Sequence, residues 1–225
     1  ITITSILGAV ASGRYELAIM LTKKDEDTIN VAVLSFFITL CFSVILLISI
    51  LFFNNKIADI LNNQEIRFWL YFVPFVVLMI GLFNILHNLH LQKKLYKSIA
   101  KIKVYKTTAK SAAQLGIASI KSGALGLIIG EIISNIFSNY QLAKSLQQKY
   151  NLKKTKITQI KQLAKRFVNL PKFSLPGIIA NNFALNLIIF FSSIIFNVKT
   201  LGFYHLANTF LSIPRAIIGS SIAQV

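Results

Sequence analysis

Val31-AVLSFFITLCFSVILLISILF-Phe53 is 23 residues long and contains no Lys, Arg, Asp or Glu. At about 1.5 Å of rise per residue a helix of this length exceeds the roughly 30 Å hydrocarbon core of a bilayer. Two further stretches, Phe68 to Leu91 and Ser174 to Asn197, are equally free of those four residue types and long enough to cross once. The fold is therefore read as all-α and polytopic, and the chain is divided by counting spans.

Composition agrees. Of the 225 residues 55% are hydrophobic and 14% charged, against about 25% charged in soluble domains, and the mean hydropathy is +0.65. Four weaker segments are also read as spans. Ile1 to Leu21 holds Arg14 and Glu16, Val104 to Ile120 holds Lys106 and Lys110, Ser122 to Ala143 holds Glu131, and Tyr204 to Val225 holds Arg215. Ile1 lies within an apolar stretch with no basic flank, unlike a signal peptide. Val225 ends in an apolar run, so further spans are expected beyond both ends. Cys41, the single cysteine, is mid-span, which excludes intrachain disulfides and cysteine metal sites.

The net charge of +17 raises nucleic acid as a partner, and the placement of the basic residues argues against it. Lys93 to Lys110 holds seven lysines, Lys144 to Lys172 nine basic residues, and Lys23 with Lys24 two more, so eighteen of the 24 fall on alternate connections. The opposite connections hold four: Lys56, Arg67, Lys121 and Lys199. That asymmetry is the positive-inside pattern when all seven segments cross, and it assigns the basic connections to the cytoplasm. Without the Val104 to Ile120 span the two most basic connections would fall on opposite sides. Lys106 and Lys110 lie near the start of that span and are expected to snorkel to the interface. From Ile157 to Val168, Ile157, Ile160, Leu163, Ala164, Phe167 and Val168 share one face flanked by Lys161, Lys165 and Arg166. This is read as an interfacial helix on the anionic cytoplasmic leaflet, ended by Pro171 and Pro176.

Ionisable groups inside a span cost about 2.5 to 3.5 kcal/mol each and need a partner, a wet cavity or an escape route. Arg14 and Glu16, two apart on a helix, would point to nearly opposite sides and could not neutralise each other. Arg14 is read as facing an anionic substrate or reaching headgroups, and Glu16 as fixing a neighbouring helix. Arg215 follows Pro214, which kinks a helix and marks a substrate path. Glu131 is open to two roles, partner of Arg215 or proton site. Asn182, Asn186, Ser193 and Asn197 lie along one face that either lines a cavity or bonds a neighbouring helix. His87 and His90 lack the carboxylate or cysteine company of a metal site, and His205 is read as interfacial. With no phosphate loop, acid and base pair or oriented nucleophile, no enzyme activity and no cofactor are expected.

Ser12-Gly13-Arg14-Tyr15-Glu16-Leu17-Ala18-Ile19, followed by Lys23-Lys24-Asp25 and a clean span, resembles the second and third helices of polysaccharide-biosynthesis membrane proteins. These are the O-antigen and capsule-unit flippases of the multidrug, oligosaccharidyl-lipid and polysaccharide exporter superfamily. Gly202-Phe203-Tyr204-His205-Leu206-Ala207, then Ile213-Pro214 and Ile218-Gly219-Ser220-Ser221-Ile222-Ala223-Gln224-Val225, is similar to the family's eighth helix. The resemblance implies about twelve to fourteen spans in two lobes working by alternating access, of which this chain holds seven. Residues 1–143 would form most of the first lobe, 144–173 a basic linker, and 174–225 the start of the second. It implies an undecaprenyl-diphosphate-linked sugar unit as the substrate, the bacterial inner membrane as the location, and a polysaccharide polymerase as a further partner. Arg14 and Arg215 would meet the diphosphate. A cation-coupled multidrug or metabolite antiporter, using Glu16 or Glu131, and a non-transporting scaffold of polymer assembly are the competing readings.

Overall fold

The computed structural model describes residues 2–60, 66–120, 124–146 and 155–195, together with 203, 206, 207 and 210–212. It is 90% helical and has no strand among those residues. In chain order come α1 (Thr2–Val10), a 3-10 turn at Tyr15–Leu17, α2 (Ala18–Leu21), α3 (Asp25–Ile60), α4 (Ile66–Leu70) and α5 (Val73–Gln92). They are followed by α6 (Tyr96–Ile120), α7 (Ala124–Leu146), α8 (Ile157–Arg166), a π turn at Leu170–Ser174 and α9 (Leu175–Ile195).

The chain divides into two compact units, Ile1–Ile178 and Ile179–Val225. In the first, α5 is the hub: α1, α2, α3, α6 and α7 all pack on it, and α6 pairs with α7. Asp25–Lys56 and Arg67–Gln92 are long and apolar enough to cross a membrane, yet only 22% and 33% of their most apolar windows are buried. A core helix of a water-soluble protein would be mostly buried. On α3 the usual order is reversed: Ser35, Thr39 and Ser43 are buried, whereas Ile45, Phe52 and Phe53 are exposed. Helices that cannot gain by hiding apolar side chains from lipid pack through small and polar residues, and α3 obeys that rule. Gly81 of α5 lies against Thr39 so closely that a Cβ there would come within 2.4 Å of the threonine methyl. The molecule is an all-α polytopic membrane protein.

The basic connections come together at one end. Lys93 after α5 bonds Asp25 at the start of α3 at 2.7 Å, His90 of α5 pairs with Ser145 of α7, and Asn30 of α3 donates to Gln159 of α8 at 2.9 Å. At the opposite end Asn54 of α3 donates to the Arg67 carbonyl at 3.2 Å. A cluster of Ala18, Ile19, Val31, Ala32, Ile85, Leu89, Leu146 and Leu163 closes the basic end. Leu163 belongs to the amphipathic segment expected on the leaflet. Instead of resting freely there, α8 docks on α3 through that residue while Lys161, Lys165, Arg166 and Ile157 stay exposed.

In the second unit α9 continues to Ile195, and Phe183, Phe203, Leu206, Phe210 and Leu211 are exposed apolar residues. Arg215, His205 and most of the Tyr204 to Val225 span lie outside the described residues.

Candidate functional site

The expected Ile1 to Leu21 helix is broken in the middle. Gly13 and Arg14 both take left-handed backbone, at φ 61° and 63°, a conformation that glycine adopts freely and arginine seldom does. Helix α1 therefore ends at Val10, where Gly13 N–H donates to the Val10 carbonyl at 2.9 Å, and the chain restarts as the short 3-10 turn. This reorientation corrects the expectation for Arg14 and Glu16. Off a regular helix they no longer point apart, and Arg14 Nη1 lies 3.3 Å from Glu16 Oε1. Glu16 is 2% exposed, and its other oxygen accepts a hydrogen bond from the buried Ser12 hydroxyl. The carboxylate is thereby held from both sides, and the Arg14 Nε is buried with no hydrogen-bond partner among the described residues. Between them Tyr15 donates its hydroxyl to the Ala164 carbonyl of α8 at 3.1 Å, which fastens the linker helix to this turn.

Arg215, one expected partner of Glu131, lies outside the described residues, and within them Glu131 has a basic neighbour on α6. It sits on α7, and Lys110 of α6 approaches its Oε2 at 2.5 Å, while Asn135 donates to Oε1 at 3.2 Å. Lys110 is thus paired within the helix bundle, and the Lys106 ammonium stands 3.8 Å from the Phe83 ring centre on α5, a contact worth up to about 2 kcal/mol when desolvated. Gly126 and Gly130 let α7 come close enough for this pairing: a Cβ at Gly130 would fall 2.5 Å from Gln114 Cγ and 3.3 Å from the Lys110 carbonyl. The spacing is the small-xxx-small pattern of membrane helix pairs.

From Glu131 a polar face runs down α7 through Ser134, Asn135, Ser138 and Asn139, the last four buried. Asn139 donates to the Met79 carbonyl of α5 at 2.9 Å, and the side-chain oxygens of Asn135 and Asn139 have no partner among the described residues. The spacing i, i+3, i+4, i+7, i+8 was available in the sequence and is a denser polar stripe than the one singled out on α9. There, Asn182 is half-buried and engaged with a neighbour, and the Asn186 side chain is outside the described set. His90 is buried between the Leu86 carbonyl, 2.8 Å away, and Ser145. Among the described residues no three His, Cys, Asp or Glu gather as metal ligands.

A family model described as polysaccharide biosynthesis protein matches residues 3–225. The chain belongs to the polysaccharide biosynthesis protein family. Its role thus lies in polysaccharide synthesis or export, and it is a membrane protein. No curated protein and no solved structure matched it. For this polysaccharide biosynthesis protein the broken helix carries Ser12 to Ile19, one of the two blocks on which the resemblance rested, so that block coincides with two successive left-handed residues, Gly13 and Arg14.

Proposed function

We propose that this polysaccharide biosynthesis protein moves a lipid-linked oligosaccharide, a sugar unit on undecaprenyl diphosphate, from the cytoplasmic to the outer face of the bacterial inner membrane. The proposed role is transport without covalent chemistry or cofactor. The observation that carries it is Arg14, a partly buried guanidinium in a helix break whose Nε has no partner among the described residues. Arginine presents a planar fork of donors that suits phosphate oxygens. Glu16, fixed by Ser12, holds one edge of that fork and leaves the other for substrate. The Tyr15 to Ala164 bond gives the linker helix a mechanical hold on the same turn, so that movement of the linker in an alternating-access cycle would reach Arg14. The exposed Lys161, Lys165 and Arg166 of α8 are proposed to meet anionic lipid at the cytoplasmic face, and a polysaccharide polymerase is the proposed acceptor downstream. An antiporter would need a carboxylate free to take a cation, and Glu16 and Glu131 both face basic partners here.

The test is complementation of a flippase-deficient strain by the full-length protein, comparing wild type with Arg14→Ala and Arg215→Ala at matched membrane levels. Wild type should restore surface polysaccharide. Arg14→Ala should accumulate the lipid-linked unit inside, with transport down at least about tenfold, the loss of one charge-assisted hydrogen bond. If wild type restores nothing and instead exports cationic dyes, the antiporter reading replaces this one; if it does neither, the scaffold reading does.

A further inference from the structure

A groove of about 640 Å³ opens between α3, α5 and α7. Its α3 wall is Ile29, Ala32, Val33 and Phe36, spaced three and four apart and so on one helix face. Its α5 wall keeps the same spacing from Leu82 to Leu89. The floor is buried: Ala32, Ile85, Leu89 and Leu146 belong to the cluster that closes the basic end. The rim is open, with Phe36, Tyr140, Ala143 and Lys144 exposed. Lys144 is the one charged side chain among the described residues of the lining. It stands one turn from Tyr140 on α7 and next to Ser145, the partner of His90 at the basic end.

Apolar walls offer water too few polar partners to hold it, and an unfilled groove forfeits dispersion contacts along its lining. In a chain that spans a membrane, the material that reaches such a groove is lipid. Its asymmetry selects the kind. The lining is apolar apart from the Tyr140 hydroxyl and one cation, and that cation sits at the end where the basic connections gather. A matching molecule has a hydrocarbon chain with a phosphate at its head, and basic pockets between membrane helices recognise such headgroups. We infer that the groove is a specific site for an anionic phospholipid, with an acyl chain against Ala32 and Ile85 and the phosphate on Lys144. Of the carboxylates that open α3 at this end, Asp25 is held by Lys93 at 2.7 Å and Glu26 is engaged with a neighbour. Because the floor shares its cluster with Leu163 of α8, the bound lipid wedges the bundle beneath the docked linker helix. The site is independent of the transport reading and of Arg14.

The experiment strips the full-length protein of lipid in detergent and titrates it with phosphatidylglycerol, following its melting and the lipid phosphorus retained after a detergent wash. Wild type should gain stability saturably and keep the lipid. Ala143→Phe, which fills the groove from its exposed rim, should abolish both effects. Lys144→Gln should weaken the apparent affinity by about tenfold, and Lys144→Arg should stay near wild type. Ile45→Phe, on the exposed face of α3 outside the groove, should not differ from wild type. If wild type does not saturate, or all variants retain lipid equally, the lipid is an ordinary shell and the proposal is overturned. Equal stabilisation by phosphatidylcholine, whose own ammonium offsets its phosphate, overturns it too. It also falls if the lipid retained by protein from native membranes is a polyprenyl phosphate, since the groove then belongs to the substrate.

Discussion

Helices α3 and α6 cross the same unit on different terms. The most apolar window of α3 has a mean hydropathy of 2.9, and Ser35 and Thr39 within it satisfy their hydroxyls on carbonyls one turn back at 2.9 and 2.8 Å. It exposes phenylalanines along much of its length. Helix α6 carries Lys97, Lys101, Lys103, Lys106 and Lys110 and is not among the spans recognised by length and composition. It is held by pairing on α7, with Lys110 against Glu131 and glycines at the contact. One helix is a span by composition; the other is held in place by a neighbour.

Breaking that neighbour should have the largest effect. Glu131→Ala strands the Lys110 ammonium, and removing one partner of a buried ion pair costs about 3 to 5 kcal/mol. Because Lys110 is 36% exposed the lower end is expected. Melting in detergent would register it, and the double variant Lys110→Met with Glu131→Leu should recover most of the loss, since an apolar pair needs no compensation. Next in size is Gly130→Leu, which forces side-chain atoms into the space of Gln114 and should cost about 1 to 3 kcal/mol by overpacking. Protease protection should show α6 and α7 loosening while α3 remains protected. Smallest is Phe52→Leu on α3, 80% exposed and in no side-chain cluster, where the change should stay within about 0.5 kcal/mol. A large effect there would mean that α3 also depends on a neighbour.

The same contrast governs what could be read in advance. The clean spans were legible because a run without charge has one stable environment, and the gathering of Lys23, Lys93 and Lys144 at one end followed from counting. The polar face of α7 was legible in principle from its helical spacing. The break at Gly13 and Arg14 was not, because apolar periodicity continues across it, and a left-handed arginine has no sequence signature of its own. On that break turned the relation of Arg14 to Glu16, which a continuous helix would have kept apart.

The amino-acid sequence by itself determined the all-α membrane class, the two most apolar spans and the sidedness of charge, since each depends on how a segment partitions between lipid and water. Only the tertiary structure decided the partners: Glu16 for Arg14, Lys110 for Glu131, Phe83 for Lys106, and α3 for the amphipathic α8. Partition free energy is a sum over residues and can be read in order along the chain. A pairing depends on which helices touch and at what rotation, and in this unit that is set by glycines, backbone breaks and buried amides distributed over helices far apart in sequence.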